Sequence, residues 1–146
     1  FGRLRGLGGQ ELAGRIDELI ALLDMADIAD RRTEGFSTGE QGKVAIARAL
    51  VHQPQNVMLD EPTAGLDVMS TRAMRGVIRK LREDGRCLLF SSHIMQEVAL
   101  LCDNIVIIAG GRVVAQGSPD ELRARTGQEN LEDAFVSIIG TKEGLV

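Results

Sequence analysis

Apolar and polar positions alternate along this chain with two different periods, and the changes of period mark out its elements. From Gln10 to Met25, Leu12, Ile16, Leu19, Ile20 and Leu23 recur at helical spacing, with Glu11, Arg15, Asp17 and Glu18 on the other faces. That pattern predicts an amphipathic helix preceded by a glycine-rich opening, Gly2 to Gly9. A polar connector follows from Asp27 to Gly35. The spacing then predicts a second helix from Gly39 or Glu40 to His52, with Val44, Ala45, Ala47, Ala49, Leu50 and Val51 on its packed side and Pro54 closing it. Asn56 to Leu59 is a short apolar run entering a turn, as a buried parallel strand requires.

Pro62 to Leu66 is expected to be a loop. Met74, Val77, Ile78 and Leu81 predict a helix from Val68 to Asp84 that stops at Gly85. Arg72, Arg75, Arg79, Arg82 and Arg86 accompany it as a solvated basic side. Cys87 to Phe90 is a second apolar run of strand length, and Met95 to Cys102 is a short helix. Asn104 to Ile108 and Arg112 to Ala115 predict a hairpin turning at Gly110-Gly111. Ser118-Pro-Asp-Glu121 has the cap, first-turn proline and third-position acid of a helix start. Leu131, Ala134, Phe135, Ile138 and Ile139 predict one more amphipathic helix near the end.

Composition narrows the functional classes. The 146 residues suffice for one domain with a core, or for a large piece of a bigger one. Aromatic residues make up 3%, with no Trp or Tyr, and the formal net charge is -4, so neither a stacking platform for bases nor a nucleic-acid-coating surface is expected. No apolar run reaches the roughly 18 residues of a membrane span. Cys87 and Cys102 match no metal spacing and are expected to be buried, unpaired thiols. The chain opens on Phe rather than Met and carries no Gly-x-x-x-x-Gly-Lys-Ser/Thr loop. A processed or truncated start is the expectation.

Three segments carry chemistry. Asp60-Glu61 follows an apolar strand, which places two carboxylates at the strand's C-terminal edge, where parallel α/β sheets bind ligands. One can hold Mg²⁺ and the next can orient or deprotonate a water. Taken singly, the pair is as readily a strand-to-turn feature. Ser37-Thr-Gly39 at a helix start offers a hydroxyl and free N–H groups to an anion, or is a plain N-cap. His93 follows the second strand beside Ser91 and Ser92, as a phosphate sensor or a loop residue. A Ser–His nucleophile pair is discounted, since sequence neighbours rarely meet that geometry and no oxyanion motif accompanies them.

In order and spacing, the three together resemble the C-terminal portion of the ATP-binding subunit of ABC transporters. Phe36-Ser-Thr-Gly-Glu-Gln-Gly-Lys-Val-Ala-Ile-Ala-Arg-Ala-Leu50 is similar to the family's signature motif and its helix. Val57 to Glu61 resembles the Walker B strand, Ala64-Gly-Leu-Asp67 the D-loop and His93 the switch histidine. Gly111 to Leu122 fits the usual continuation. Phe36, Thr38 and Glu40 stand where the common signature has Leu, Gly and Gln, and Phe-Ser-Thr-Gly is similar to a branch of ABC-2 type sodium and drug exporters. Glu40 would place a carboxylate near a phosphate unless it turns away, and Gly42 loosens its helix by roughly 1 kcal/mol against Ala.

The resemblance implies an α/β fold, a partial P-loop NTPase of the ABC type with a mostly parallel sheet, flanking helices and part of the helical signature subdomain. Residues 1–52 would belong to that subdomain, 53–123 to the ATPase core and 124–146 to a helical tail. It implies ATP and Mg²⁺ as cofactors, a second ATP-binding subunit packed head to tail, transmembrane permease subunits, and a cytoplasmic place on the inner face of the membrane. Ser37 and the backbone of Gly39 would meet the γ-phosphate bound by the partner subunit. Asp60 would help hold Mg²⁺, Glu61 would polarise the attacking water, His93 would contact the γ-phosphate on its own side, and Asp67 would link the two sites. Two other readings stay open, an ABC ATPase of repair or translation and a non-catalytic interaction module.

Overall fold

The computed structural model describes residues 1–143. They divide into two compact units, Phe1–Ser91 and the segment from Ser92 onward. In the first, a short 3-10 turn at Gly2–Arg5 leads into helix α1 (Gly9–Leu22), and a second 3-10 turn at Ala26–Ile28 precedes α2 (Thr38–Leu50). Strand β1 (Asn56–Leu59), helix α3 (Val68–Glu83) and strand β2 (Cys87–Phe90) complete it. The second unit contains α4 (Met95–Leu101), strands β3 (Ile105–Ala109) and β4 (Arg112–Gly117), α5 (Pro119–Thr126) and α6 (Leu131–Glu143).

Local periodicity foretells α3 best. Met74, Val77, Ile78 and Leu81 are its buried side chains, each worth roughly 1.5–3 kcal/mol relative to an exposed position. Gly85, at φ 78°, supplies the left-handed residue that ends it. Other expected faces are corrected by packing. On α1, Leu19 is buried but Ile16 is exposed. On α2 the deep side chains are Ile46 and Leu50, while Ala45 and Ala49 face solvent. Arg86 leaves the solvated basic side, because its Nη1 donates to the Pro54 carbonyl at 2.7 Å.

Strands β1 and β2 pair in parallel, from Asn56 opposite Cys87 to Leu59 opposite Phe90, with α3 as the crossover. Their apolar runs were expected to be buried throughout. Val57 is buried, but Met58 is 77% and Leu89 61% exposed, and Cys87 lies on the same exposed side. Alternate residues of a strand face opposite ways, so one face of the pair is open among the described residues. The expectation of buried thiols therefore fails for Cys87. Cys102 is half-buried, and burial, then the charge of Asp103, pushes its thiol up to about 11, which keeps it protonated near neutral pH.

In the second unit, β3 and β4 form the antiparallel hairpin, turning at Gly110 (φ 55°) and Gly111 (φ 71°). Two left-handed residues are what a two-residue primed turn demands. Val98, Ile105, Ile107, Ala115, Leu122, Leu131 and Ile138 make this unit's core, so the last apolar periodicity is an amphipathic helix packed inward. Among the described residues no helix is long and apolar enough to cross a membrane.

Candidate functional site

The parallel pairing of β1 and β2 brings both strand C-termini to one edge. Asp60 and Glu61 leave β1 there, and Ser91 leaves β2. The Ser91 hydroxyl donates to Asp60 Oδ1 at 2.6 Å and accepts the Glu61 N–H at 2.9 Å. Glu61 sits in left-handed backbone, at φ 44°, where a side chain with a Cβ costs about 1–3 kcal/mol. Thr63 is buried behind the turn, and Ala64 and Leu66 N–H groups donate to the Glu61 and Thr63 carbonyls, closing the loop.

Asp67 ends that loop as the N-cap of α3. Its Oδ1 accepts the Met69 and Ser70 N–H groups at 2.9 Å each, and its Oδ2 accepts the Ser70 hydroxyl at 2.8 Å. The Ser70 backbone N–H, then its hydroxyl, hold the Asp67 carboxyl below the usual carboxylate range. Beside it, Val68 and Met69 stay exposed in the first turn of α3.

Ser37 caps α2, accepting the Glu40 N–H at 3.2 Å while Glu40 Oε2 accepts the Ser37 N–H at 2.7 Å. This capping box turns the Glu40 carboxylate back along the chain. Its Oε1 also takes Arg31 Nη1 at 2.9 Å, and Arg31 lies 5.3 Å from the Phe36 ring centroid. The Ser37 backbone bond, with Arg31 assisting, holds the Glu40 carboxyl below its ordinary value. Glu40 is thus an ion-paired cap residue, which answers how a carboxylate is accommodated in this segment. Gly39 backs onto α3, and a Cβ there would lie 3.3 Å from Ser70 Oγ. The signature-like segment therefore meets α3 at Ser70 and the D-loop-like segment at Leu66, whose Cδ2 would lie 3.7 Å from the same Cβ. No contact requires glycine at position 42, where a Cβ would meet nothing within 4 Å.

His93 belongs to the second unit and is exposed in the loop before α4, beside an Ile94 N–H that donates to Ser92 Oγ at 3.1 Å. Sequence reasoning set Ser91 aside with its neighbours and missed Arg31 and Ser70. Ser91 and Arg31 have partners on other segments, which no local spacing marks, whereas Ser70 bonds the Asp67 cap three residues before it.

Among the described residues, no three His, Cys, Asp or Glu side chains converge as a closed metal shell. A single strand-edge carboxylate, fixed by Ser91 and exposed, fits Mg²⁺, which keeps waters and substrate phosphates in its shell. The exposed cap at Ser37 likewise fits the phosphate end of a nucleotide, since its hydroxyl proton is not used in accepting the Glu40 N–H.

Comparison with known proteins finds relatives over most of the chain. The sequence model of the ABC transporter family matches residues 5–64. The ABC transporter ATP-binding protein NatA of Bacillus subtilis (strain 168) is 44% identical over 137 residues, which are 94% of this chain and 56% of NatA. The cobalt import ATP-binding protein CbiO of Rhodobacter capsulatus is 40% identical, over 81% of this chain and 42% of its own length. A solved ATP-binding subunit of an ABC transporter superposes with a TM-score of 0.80 at 29% identity, covering 92% of this chain and 57% of that one. The chain spans about half the length of the curated relatives it matches. By sequence and fold, the chain belongs to the ABC transporter ATP-binding family, within the P-loop NTPase class.

Proposed function

We propose that residues 1–146 serve as the C-terminal part of the ATP-hydrolysing subunit of an exporting ABC transporter. The observation that carries the proposal is the Asp60-Glu61 pair at the C-terminal edge of two parallel strands, held there by Ser91. Asp60 is the Mg²⁺ carboxylate. Glu61 orients and polarises the attacking water. Mg²⁺, when bound, would be held by Asp60 and would supply positive charge to the phosphates. The export direction follows from the Phe36-Ser-Thr-Gly39 segment, which resembles the ABC-2 exporter branch.

Ser37 and the backbone of Gly39 meet the γ-phosphate held by a second subunit, His93 meets the γ-phosphate on its own side, and Asp67 links the two sites. The exposed Val68 and Met69 beside Asp67 support a subunit contact at that place. Residues 1–52 act as part of the signature subdomain, 53–123 as ATPase core and 124–146 as tail. The phosphate-cradling loop is supplied from outside these residues. A second subunit in head-to-tail contact and transmembrane permease subunits complete the machine, on the inner face of the membrane.

Glu61→Gln in the complete subunit tests the proposal. Turnover should fall by about a hundredfold or more while ATP binding persists, because the amide keeps the shape but polarises water poorly. Near-normal hydrolysis would remove Glu61 from its role. A nucleotide titration of residues 1–146 alone should show no micromolar binding.

A further inference from the structure

Ser91 stands one residue beyond the β2 ladder, and three hydrogen bonds tie it to the end of β1. Its N–H donates to the Leu59 carbonyl at 3.0 Å, one step past the Leu59 and Phe90 pair. Its hydroxyl donates to Asp60 Oδ1 at 2.6 Å and accepts the Glu61 N–H at 2.9 Å. The polarity of these bonds is settled, since a carboxylate only accepts and a backbone N–H only donates. A hydroxyl can serve both at once.

We infer that Ser91 is a positioning residue for the hydrolytic chemistry, using one hydroxyl to set the Asp60 carboxylate and to hold Glu61 in its left-handed backbone. The inference rests on the reading of Asp60 and Glu61 given above. A Glu at φ 44° lies outside the regions its side chain prefers. Released from Ser91, its backbone can relax toward extended or right-handed conformations, and both would swing the Glu61 carboxylate. Asp60 would lose its orienting donor in the same step. Displacements near 1 Å at a reacting centre lower rates by as much as about a hundredfold. The bond from the Ser91 N–H to Leu59 does not depend on the side chain, so the strand end persists without the hydroxyl and the two effects separate.

The test compares Ser91→Ala, Ser91→Thr and Glu61→Gln in the complete subunit. Ser91→Ala should lower kcat by about tenfold or more and change the KM for ATP by less than about threefold. The Glu61 amide should exchange with solvent at least about tenfold faster, with little change in melting temperature. Ser91→Thr keeps the hydroxyl on a strand-compatible residue and should restore kcat and amide protection to within about threefold. Wild-type kcat and wild-type Glu61 exchange in Ser91→Ala would overturn the inference. So would an equal loss in Ser91→Thr with a lowered melting temperature, which marks a merely structural role. Normal turnover by Glu61→Gln would instead sink the reading of Glu61, and the catalytic part of the Ser91 inference with it. Slow Glu61→Gln beside unimpaired Ser91→Ala would sink the Ser91 inference alone.

Discussion

Two helices of this chain begin with the same device and are held in place by different means. In α2, Glu40 Oε2 accepts the Ser37 N–H at 2.7 Å and Ser37 Oγ accepts the Glu40 N–H at 3.2 Å. In α5, Glu121 and Ser118 make the same two bonds at the same two distances. Yet α5 is also pinned from both sides. Pro119 presets its first turn, and Leu122, directly after the box, is 1% exposed in the core of its unit. The first buried side chain of α2 is Ile46, two turns in. Its start is secured by polar contacts instead, from Arg31 to Glu40 and from Lys43 to the Asp24 carbonyl at 2.8 Å. A cap by itself says only that a helix begins. Packing around α5 makes its cap structural, whereas the cap of α2 remains exposed.

The sharpest way to break that comparison is to remove both serines. Ser37→Ala should lower ATPase turnover of the complete subunit by at least about tenfold, and Ser118→Ala should leave it within about twofold. Both should cost about 1 kcal/mol of stability in denaturant titrations. Equal effects on turnover would show that the α2 cap does no more than its counterpart.

A smaller effect concerns the contact at Gly39. A Cβ at this position would approach Ser70 Oγ to 3.3 Å, so Gly39→Ala should be better tolerated once Ser70 is Ala. A double-mutant cycle on stability should give a coupling of roughly 0.5 kcal/mol. Strict additivity would mean that the two segments do not press on each other.

The smallest expected effect is electrostatic. The Glu40 carboxyl is held below its ordinary value of 4.5 by Ser37 first and Arg31 after it. A group whose folded pKa is lowered adds stability above its unfolded pKa and loses it as pH falls through the folded value. Melting temperature should therefore fall on acidification below about 4.5, and Glu40→Gln, which preserves the box, should shallow that slope slightly. An unchanged slope would assign the acid sensitivity to other carboxylates, Asp67 first among them.

Legibility followed the range of the interactions. The inner face of α3, the Gly110-Gly111 turn and the Ser118 box were all visible in sequence, because each is decided within a few residues. The Asp60-Glu61 pair was visible because an apolar strand ending in two carboxylates is itself a local pattern. Strand burial was misjudged. A run such as Val57-Met-Leu59 has the same composition whether one face or two are covered, and only what packs on each face decides that Val57 is buried while Met58 and Leu89 are exposed. The Glu40 charge in the signature-like segment was a local anomaly whose answer, Arg31, lies nine residues away.

The sequence by itself determined the family, the order of the elements and which residue types stand at strand ends and helix starts, since these depend on spacing and local backbone preference. Tertiary structure alone decided what each polar group touches. Parallel pairing across the α3 crossover set Ser91 between Asp60 and Glu61, and the approach of α2 to α3 set Gly39 against Ser70. The physical reason is that a hydrogen bond between strands is fixed by register, and register is a property of two segments that neither carries alone.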